Sequence, residues 1–225
     1  MVFALFQGFG TNQRFTYAYS VVPREILSGQ DLVTPDRVMT DRSTGRRVLV
    51  PGLQPTPVSV YLTILFAMFM HGGIAHIAGN MLYLLIFGDN IEDRLGHLRF
   101  LLFYLACGVV ATLAHVYASL WMGRDLGTPS LGASGAISGV LGAYLLLFPL
   151  RRVRIFVFFS IVEVPALVVV GLWFVFQLIN SLGYLGGRTG GGVAYAAHIG
   201  GFLFGFATVK LWALGRRRLE QRPRY

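Results

Sequence analysis

Apolar runs close to twenty residues long constrain this chain more than any other feature. Arg99–Trp121 and Ile155–Ile179 are two of them, and a run of that length matches the thickness of a bilayer core. Backbone exposed to lipid must satisfy its own hydrogen bonds, so such segments are expected as helices, and glycine or proline within them is tolerated. Of the 225 residues 55% are apolar and 13% charged, whereas a soluble domain carries about 25% charge. The expected class is all-α, a polytopic membrane helix bundle forming one domain.

Spanning helices are expected at roughly Ile74–Phe87, Arg99–Leu120, Ser134–Leu150, Ile155–Leu182 and Tyr195–Leu214. The opening MVFALFQGFG is too short to span, lacks the basic region and cleavage site of a signal peptide, and reads as the end of a first helix over residues 1–7 that is cut short. Residues 8–59 mix Pro, Gly, Arg and Asp with short apolar stretches and read as a long loop on the membrane surface. Residues 60–214 form a five-helix part and residues 215–225 a basic tail.

The net charge is +9, which would suit nucleic acid, but in a membrane chain it reports topology, and no nucleic-acid partner is expected. Arg94, Arg99, Arg151, Arg152, Arg154, Lys210, Arg216, Arg217, Arg218, Arg222 and Arg224 fall on one side, which the positive-inside rule makes cytoplasmic. The loops TPSLG and GYLGGRTGGG fall on the other. Cys107 is the single cysteine, so neither a disulfide nor a thiolate metal site within the chain is expected.

Three short motifs carry chemistry. In the first, Gly132-Ala133-Ser134-Gly135, a serine joins a Gly/Pro loop to a helix. Such a serine is commonly an N-cap, but its small neighbours also let a carbonyl approach while unpaired N–H groups of the first turn face a developing oxyanion. The second sets His198 at the start of the last helix, with Gly201 and Gly205 at i+3 and i+7 on nearly the same face. Ionisable groups within membrane spans are costly and usually functional. Small residues four apart permit close helix approach, and the serine helix has its own pair in Gly135 and Gly139. The two helices could therefore bring Ser134 and His198 within hydrogen-bond reach as nucleophile and base.

The third motif is His71-Gly72-Gly73-Ile74-Ala75-His76-Ile77-Ala78-Gly79-Asn80-Met81. His76 and Asn80 stand at i and i+4 on one face, where an imidazole N–H and an amide could serve an oxyanion; polar contact between helices is the alternative. A zinc site of His71, His76 and His198 fits poorly, because five residues turn His71 about 140° away from His76 on a helix. No metal and no cofactor is expected.

HGGIAHIAGNM, GASGAISG and AHIGGFLFG, in that order and on what would be the second, fourth and sixth helices, resemble the rhomboid intramembrane proteases; FGDNIEDRLG and VEVPA are similar to bacterial members. The resemblance covers nearly everything after Val60. It implies a six-helix core, here with its first helix truncated, in a multi-pass protein of a bacterial plasma membrane with a cytoplasmic tail. It implies a serine endopeptidase that hydrolyses peptide bonds in or near transmembrane segments of other proteins, with Ser134 as nucleophile, His198 as base, His76 and Asn80 stabilising the oxyanion, and His71 completing HxxxxHxxxN. Gly132, Gly135, Gly201 and Gly205 support the site. The alternative is a relative without catalysis that binds and escorts transmembrane helices.

Two positions depart from the family pattern. The aromatic that supports the base in many members, four residues after the nucleophile, is Ser138 here, read as packing or as a minor participant. The Trp-Arg pair of the first loop is absent. His115 reads as a packed histidine, His97 as a solvated one, and Glu163 as a structural partner for Arg154.

Overall fold

The computed structural model describes residues 5–8, 11–40, 45–185 and 195–215. The chain divides into two compact units, residues 1–77 with 119–133 and residues 78–118 with 134–225. The expected first-helix residues 1–4, most of GYLGGRTGGG and the basic tail from Arg216 lie outside the described residues.

In the first unit the expected long loop carries short structure of its own. Helix α1 (Gln13–Tyr19) starts where Asn12 Oδ1 accepts the Phe15 N–H, a side-chain cap of the usual kind. Helix α2 (Pro23–Ser28) has proline in its first turn and ends on Gly29 at φ 70, whose N–H reaches Glu25 O. These are the helix start and stop that each residue's backbone favours. Strands β1 (Arg37–Thr40) and β2 (Arg47–Val50) pair antiparallel, Arg37 opposite Val50. A 3-10 turn at Val60–Leu62 leads into α3 (Thr63–Ala67).

Residues 119–133 are stitched to the same unit by backbone. Val21 and Ser130 exchange both N–H···O bonds, at 2.9 and 2.8 Å, and Gly132 N donates to Ala67 O at 2.8 Å. Gly132 stands at φ 127, a conformation that only glycine adopts readily. The loop delivering Ser134 is therefore held by main-chain bonds.

Helix α4 (Ile74–Tyr83) continues through a π-helical turn at Leu84–Gly88 into α5 (Asp89–Leu95), and Gly96 at φ 80 separates it from α6 (His97–Trp121). Ile74–Leu95, with 22 residues, and His97–Trp121, with 25, are long and apolar enough to cross a membrane. Helix α7 (Ser134–Leu147) is apolar but shorter, and every residue from Gly135 to Tyr144 is buried. It is the centre of the second unit. Strands β3 (Arg152–Val157) and β4 (Ser160–Pro165), helix α8 (Ala166–Leu185) and helix α9 (Tyr195–Trp212) complete it.

The hairpin corrects one expectation, a single helix over Ile155–Leu182. Up to Pro165 this stretch is sheet, with Arg154 opposite Glu163 and Ile155 opposite Val162. The sequence there alternates Arg152-Val153-Arg154-Ile155 and is rich in β-branched residues, which suits a pleated ribbon. An apolar stretch that short cannot be told from a helix by periodicity. The helix begins after Pro165, where Ala166 N and Leu167 N donate to Arg151 O and Pro149 O at 2.9 and 2.8 Å. Two donors that every helix start leaves unpaired are thus satisfied.

The seam between α7 and α9 is built from glycine. A Cβ on Gly205 would lie 2.5 Å from Gly139 C and 2.6 Å from its Cα, and one on Gly201 would lie 3.1 Å from Gly135 C and 3.2 Å from Ala111 Cβ. Gly142 closes on the Phe202 backbone in the same way. The two small-xxx-small faces expected from the sequence therefore meet each other, with Gly142 as a further member. In lipid, where apolar surfaces gain nothing by avoiding water, such backbone contact is a principal source of helix association.

Candidate active site

Ser134 begins α7 and His198 lies in the first turn of α9, so a seam that sets the helices close also sets these side chains close. His198 Nε2 is 2.8 Å from Ser134 Oγ. Both residues are half-buried rather than sealed. The separation lies within the reach of a nucleophile bonded to its general base. Four N–H groups of the first turn of α7 have no partner within that helix.

Nδ1 of His198 faces Gln177 Oε1 at 2.9 Å. Gln177 comes from α8, is 5% exposed, and has Trp173 one turn before it, with the Trp173 and His198 ring centroids 6.0 Å apart. Reading the sequence singled out neither residue. The signal was present: Gln177 is a strongly polar amide that interrupts the apolar run from Ala166 to Ile179, a placement that is expensive and usually functional. Ser138 is fully buried, and its hydroxyl donates to Ser134 O at 2.6 Å. That bond turns the Ser138 side chain onto its own helix.

His76 and Asn80 both lie on α4. In the first unit, Gly72 N donates to His76 Nδ1 at 3.2 Å. A neutral ring that accepts at Nδ1 carries its proton on Nε2, so His76 presents an N–H donor there. The ring of His71 meets that of His76 edge to face at 5.3 Å. His71 is 5% exposed, its ring nitrogens have no hydrogen-bond partner among the described residues, and burial, helped by His76, pushes its pKa down to about 4. Its backbone N–H goes to Gln7 Oε1 at 2.9 Å.

In the second unit Asn80 is 8% exposed and its Nδ2 has no hydrogen-bond partner among the described residues. A buried amide donor left unpaired costs about 1–3 kcal/mol and is rare enough to require a reason. Among the described residues no three His, Cys, Asp or Glu side chains are grouped to hold a metal ion. Glu163 pairs with Arg154 across the hairpin at 3.3 Å, and His97 Nδ1 lies 2.6 Å from Glu92 on the protein surface.

The family model for the rhomboid domain matches residues 59–214, more than half of the chain. The chain belongs to the rhomboid family. It is a rhomboid-family membrane protein of mostly helical build. It is 31% identical over 173 residues to Rhomboid protein 1, mitochondrial, of Saccharomyces cerevisiae, covering 76% of this chain and 47% of that protein. Over 130 residues it is 38% identical to Rhomboid protease GluP of Bacillus subtilis, covering 57% of this chain and 24% of that one. The human Presenilin-associated rhomboid-like protein, mitochondrial, is 31% identical over 173 residues, with 69% and 42% covered. The rhomboid chain described here thus spans less than half the length of these relatives.

Proposed function

We propose that this rhomboid is an intramembrane serine endopeptidase acting on peptide bonds in or near transmembrane segments of other membrane proteins. The observation that carries the reading is the 2.8 Å contact of His198 Nε2 with Ser134 Oγ. Ser134 gives its proton to His198 as Oγ attacks the substrate carbonyl, and His198 returns that proton to the departing amine. The acyl-serine is then hydrolysed by water that His198 activates in the same way, restoring both side chains.

The tetrahedral oxyanion needs donors aimed at charge that develops only during attack, worth about 2.7–4 kcal/mol for one donor in a well-studied case. We assign them to the Nε2–H of His76, the amide of Asn80 and the first turn of α7. The unpaired Nδ2 of Asn80 supports this, since a donor with no partner at rest pays nothing to change partners when the oxyanion forms. A helical substrate hides its carbonyls in i to i−4 bonds, so the reading favours substrates whose segment unwinds easily. The arginine bias supports an orientation with the tail cytoplasmic.

The test is labelling of purified protein with a fluorophosphonate that reacts with activated serines, followed by cleavage of a single-span substrate. Labelling that disappears in Ser134→Ala and His198→Ala is expected. Equal labelling of all three would remove the pair from the chemistry, and a folded, substrate-binding chain without cleavage would indicate an escort.

A further inference from the structure

We propose that Gln177 is a positioning residue of this site, fixing the tautomer and ring plane of His198; the inference rests on the serine endopeptidase reading above. Helix α8 exposes Leu172, Phe176 and Ile179 at 66%, 58% and 62%, while Gln177 in the same stretch is 5% exposed. Its amide is turned inward, with Oε1 2.9 Å from His198 Nδ1.

A neutral imidazole carries one proton. For Nε2 to accept the proton of Ser134 it must present a lone pair, which leaves the ring proton on Nδ1, and an Nδ1–H needs an acceptor. An amide oxygen meets that need. The same amide turned over would offer its NH2 to Nδ1, move the ring proton to Nε2 and leave Ser134 facing a donor that cannot act as base. The orientation of one amide therefore decides whether the pair is competent. Where a carboxylate serves this purpose, changing it to an amide of wrong orientation costs about 10⁴-fold. Here the acceptor is neutral, and no permanent charge has to be carried in an apolar span.

Trp173, one turn before Gln177, lies 6.0 Å from the ring at an interplanar angle of 40°. It provides the aromatic neighbour that the serine helix lacks, since Ser138 occupies that position and is bonded to Ser134 O. Helix α8 thus supplies His198 with both its acceptor and its aromatic wall while contributing no reacting atom.

The experiment uses the full chain in detergent with ¹⁵N-labelled histidine, and compares wild type, Gln177→Met and Gln177→Glu. Wild-type His198 is expected as the Nδ1–H tautomer. Gln177→Met keeps the length and removes the acceptor; a mixed or Nε2–H tautomer is expected, with kcat on a single-span substrate lowered about tenfold to a hundredfold and KM within about twofold. Gln177→Glu restores an acceptor, and is expected to keep the Nδ1–H form and at least a tenth of the wild-type kcat. A wild-type Nε2–H tautomer overturns the proposal. So do an unchanged kcat in Gln177→Met, and equal loss in both variants at unchanged melting temperature. If Gln177→Met does not fold, the wild-type tautomer and Gln177→Glu still decide. Wild type in the Nδ1–H form that neither labels nor cleaves would count against the endopeptidase reading, leaving the positioning intact.

Discussion

Gly205→Ala tests whether the α7–α9 seam sets the geometry of the reacting pair. The added Cβ would stand 2.6 Å from Gly139 Cα and closer still to Gly139 O, whereas ordinary contact begins at 3.4 Å, so α9 must withdraw by at least about 0.8 Å at that point. The obstacle is main chain, which has no rotamer to change. His198 lies two turns before Gly205, about 10.5 Å along the helix axis, close enough that a rigid shift carries it along. The Ser134–His198 contact of 2.8 Å would open to about 3.6 Å or more, outside the useful range of about 2.6–3.2 Å. Misplacement of about 1 Å can cost 10²-fold in rate, and overpacking costs about 1–3 kcal/mol of stability. The expected result is a fall of about 10² in fluorophosphonate labelling rate and in kcat, with KM nearly unchanged and a lowered but cooperative melting transition. Gly171→Ala on α8, where a Cβ meets nothing within 4 Å, is the matched control and should retain wild-type labelling. A folded Gly205→Ala protein labelling within twofold of wild type would show that the seam does not govern the pair.

Other perturbations follow from contacts already described. Ser138→Ala should label and cleave within about threefold of wild type, because its hydroxyl bonds only to Ser134 O on its own helix; loss of labelling would make it a participant. Gln7 is fully buried, donating to Thr16 Oγ1 at 3.1 Å while accepting the His71 N–H, so Gln7→Leu should cost about 1–3 kcal/mol by leaving a buried N–H unpaired, read as a lowered melting temperature. Glu25, outside the spanning helices, is 1% exposed; burial raises its pKa above 4.5, the Leu32 N–H pulls it back and Asp31 adds to the rise. The folded chain then holds that proton more tightly than the unfolded one, so the contribution of Glu25 to stability is fully present below pH 4.5 and lost as pH rises through the raised value. Glu25→Gln should flatten melting temperature against pH in that window and raise it at neutral pH; parallel curves would refute this. Phe158 and Phe159 turn the β3–β4 hairpin at φ 44 and 65, where Asn-Gly is preferred, so Phe158→Asn with Phe159→Gly should stabilise by about 1–2 kcal/mol. A lowered melting temperature would mean that the rings contribute more than the turn costs.

The parts of this molecule legible in its sequence are those set by repetition along the chain. Glycines four apart announced a close helix face, and the structure pairs Gly135 and Gly139 with Gly201 and Gly205, bringing Ser134 to His198. The hairpin was hidden because Ile155–Pro165 is apolar enough to continue the run behind it, and only the alternation of Arg152 and Arg154 marked it. What Gln177 and Trp173 face was illegible for a different reason. Their importance depends on which way α8 turns against a histidine 21 residues from Gln177, and no local period encodes that. Gln7 likewise reaches across 64 residues to the His71 backbone.

The π-helical turn at Leu84–Gly88 has a consequence for insertion and deletion. A wider turn accommodates about one residue more than an α-helix, and each residue is worth about 100° of rotation. Ahead of it the helix turns the unpaired amide of Asn80 inward; behind it Ile91 and Leu95 are fully buried and Phe87 meets the Tyr144 ring at 5.0 Å. Removing one residue from the turn would restore a regular helix and rotate these two faces out of step by more than a quarter circle. The helix could then keep its packing or its amide in place, and not both.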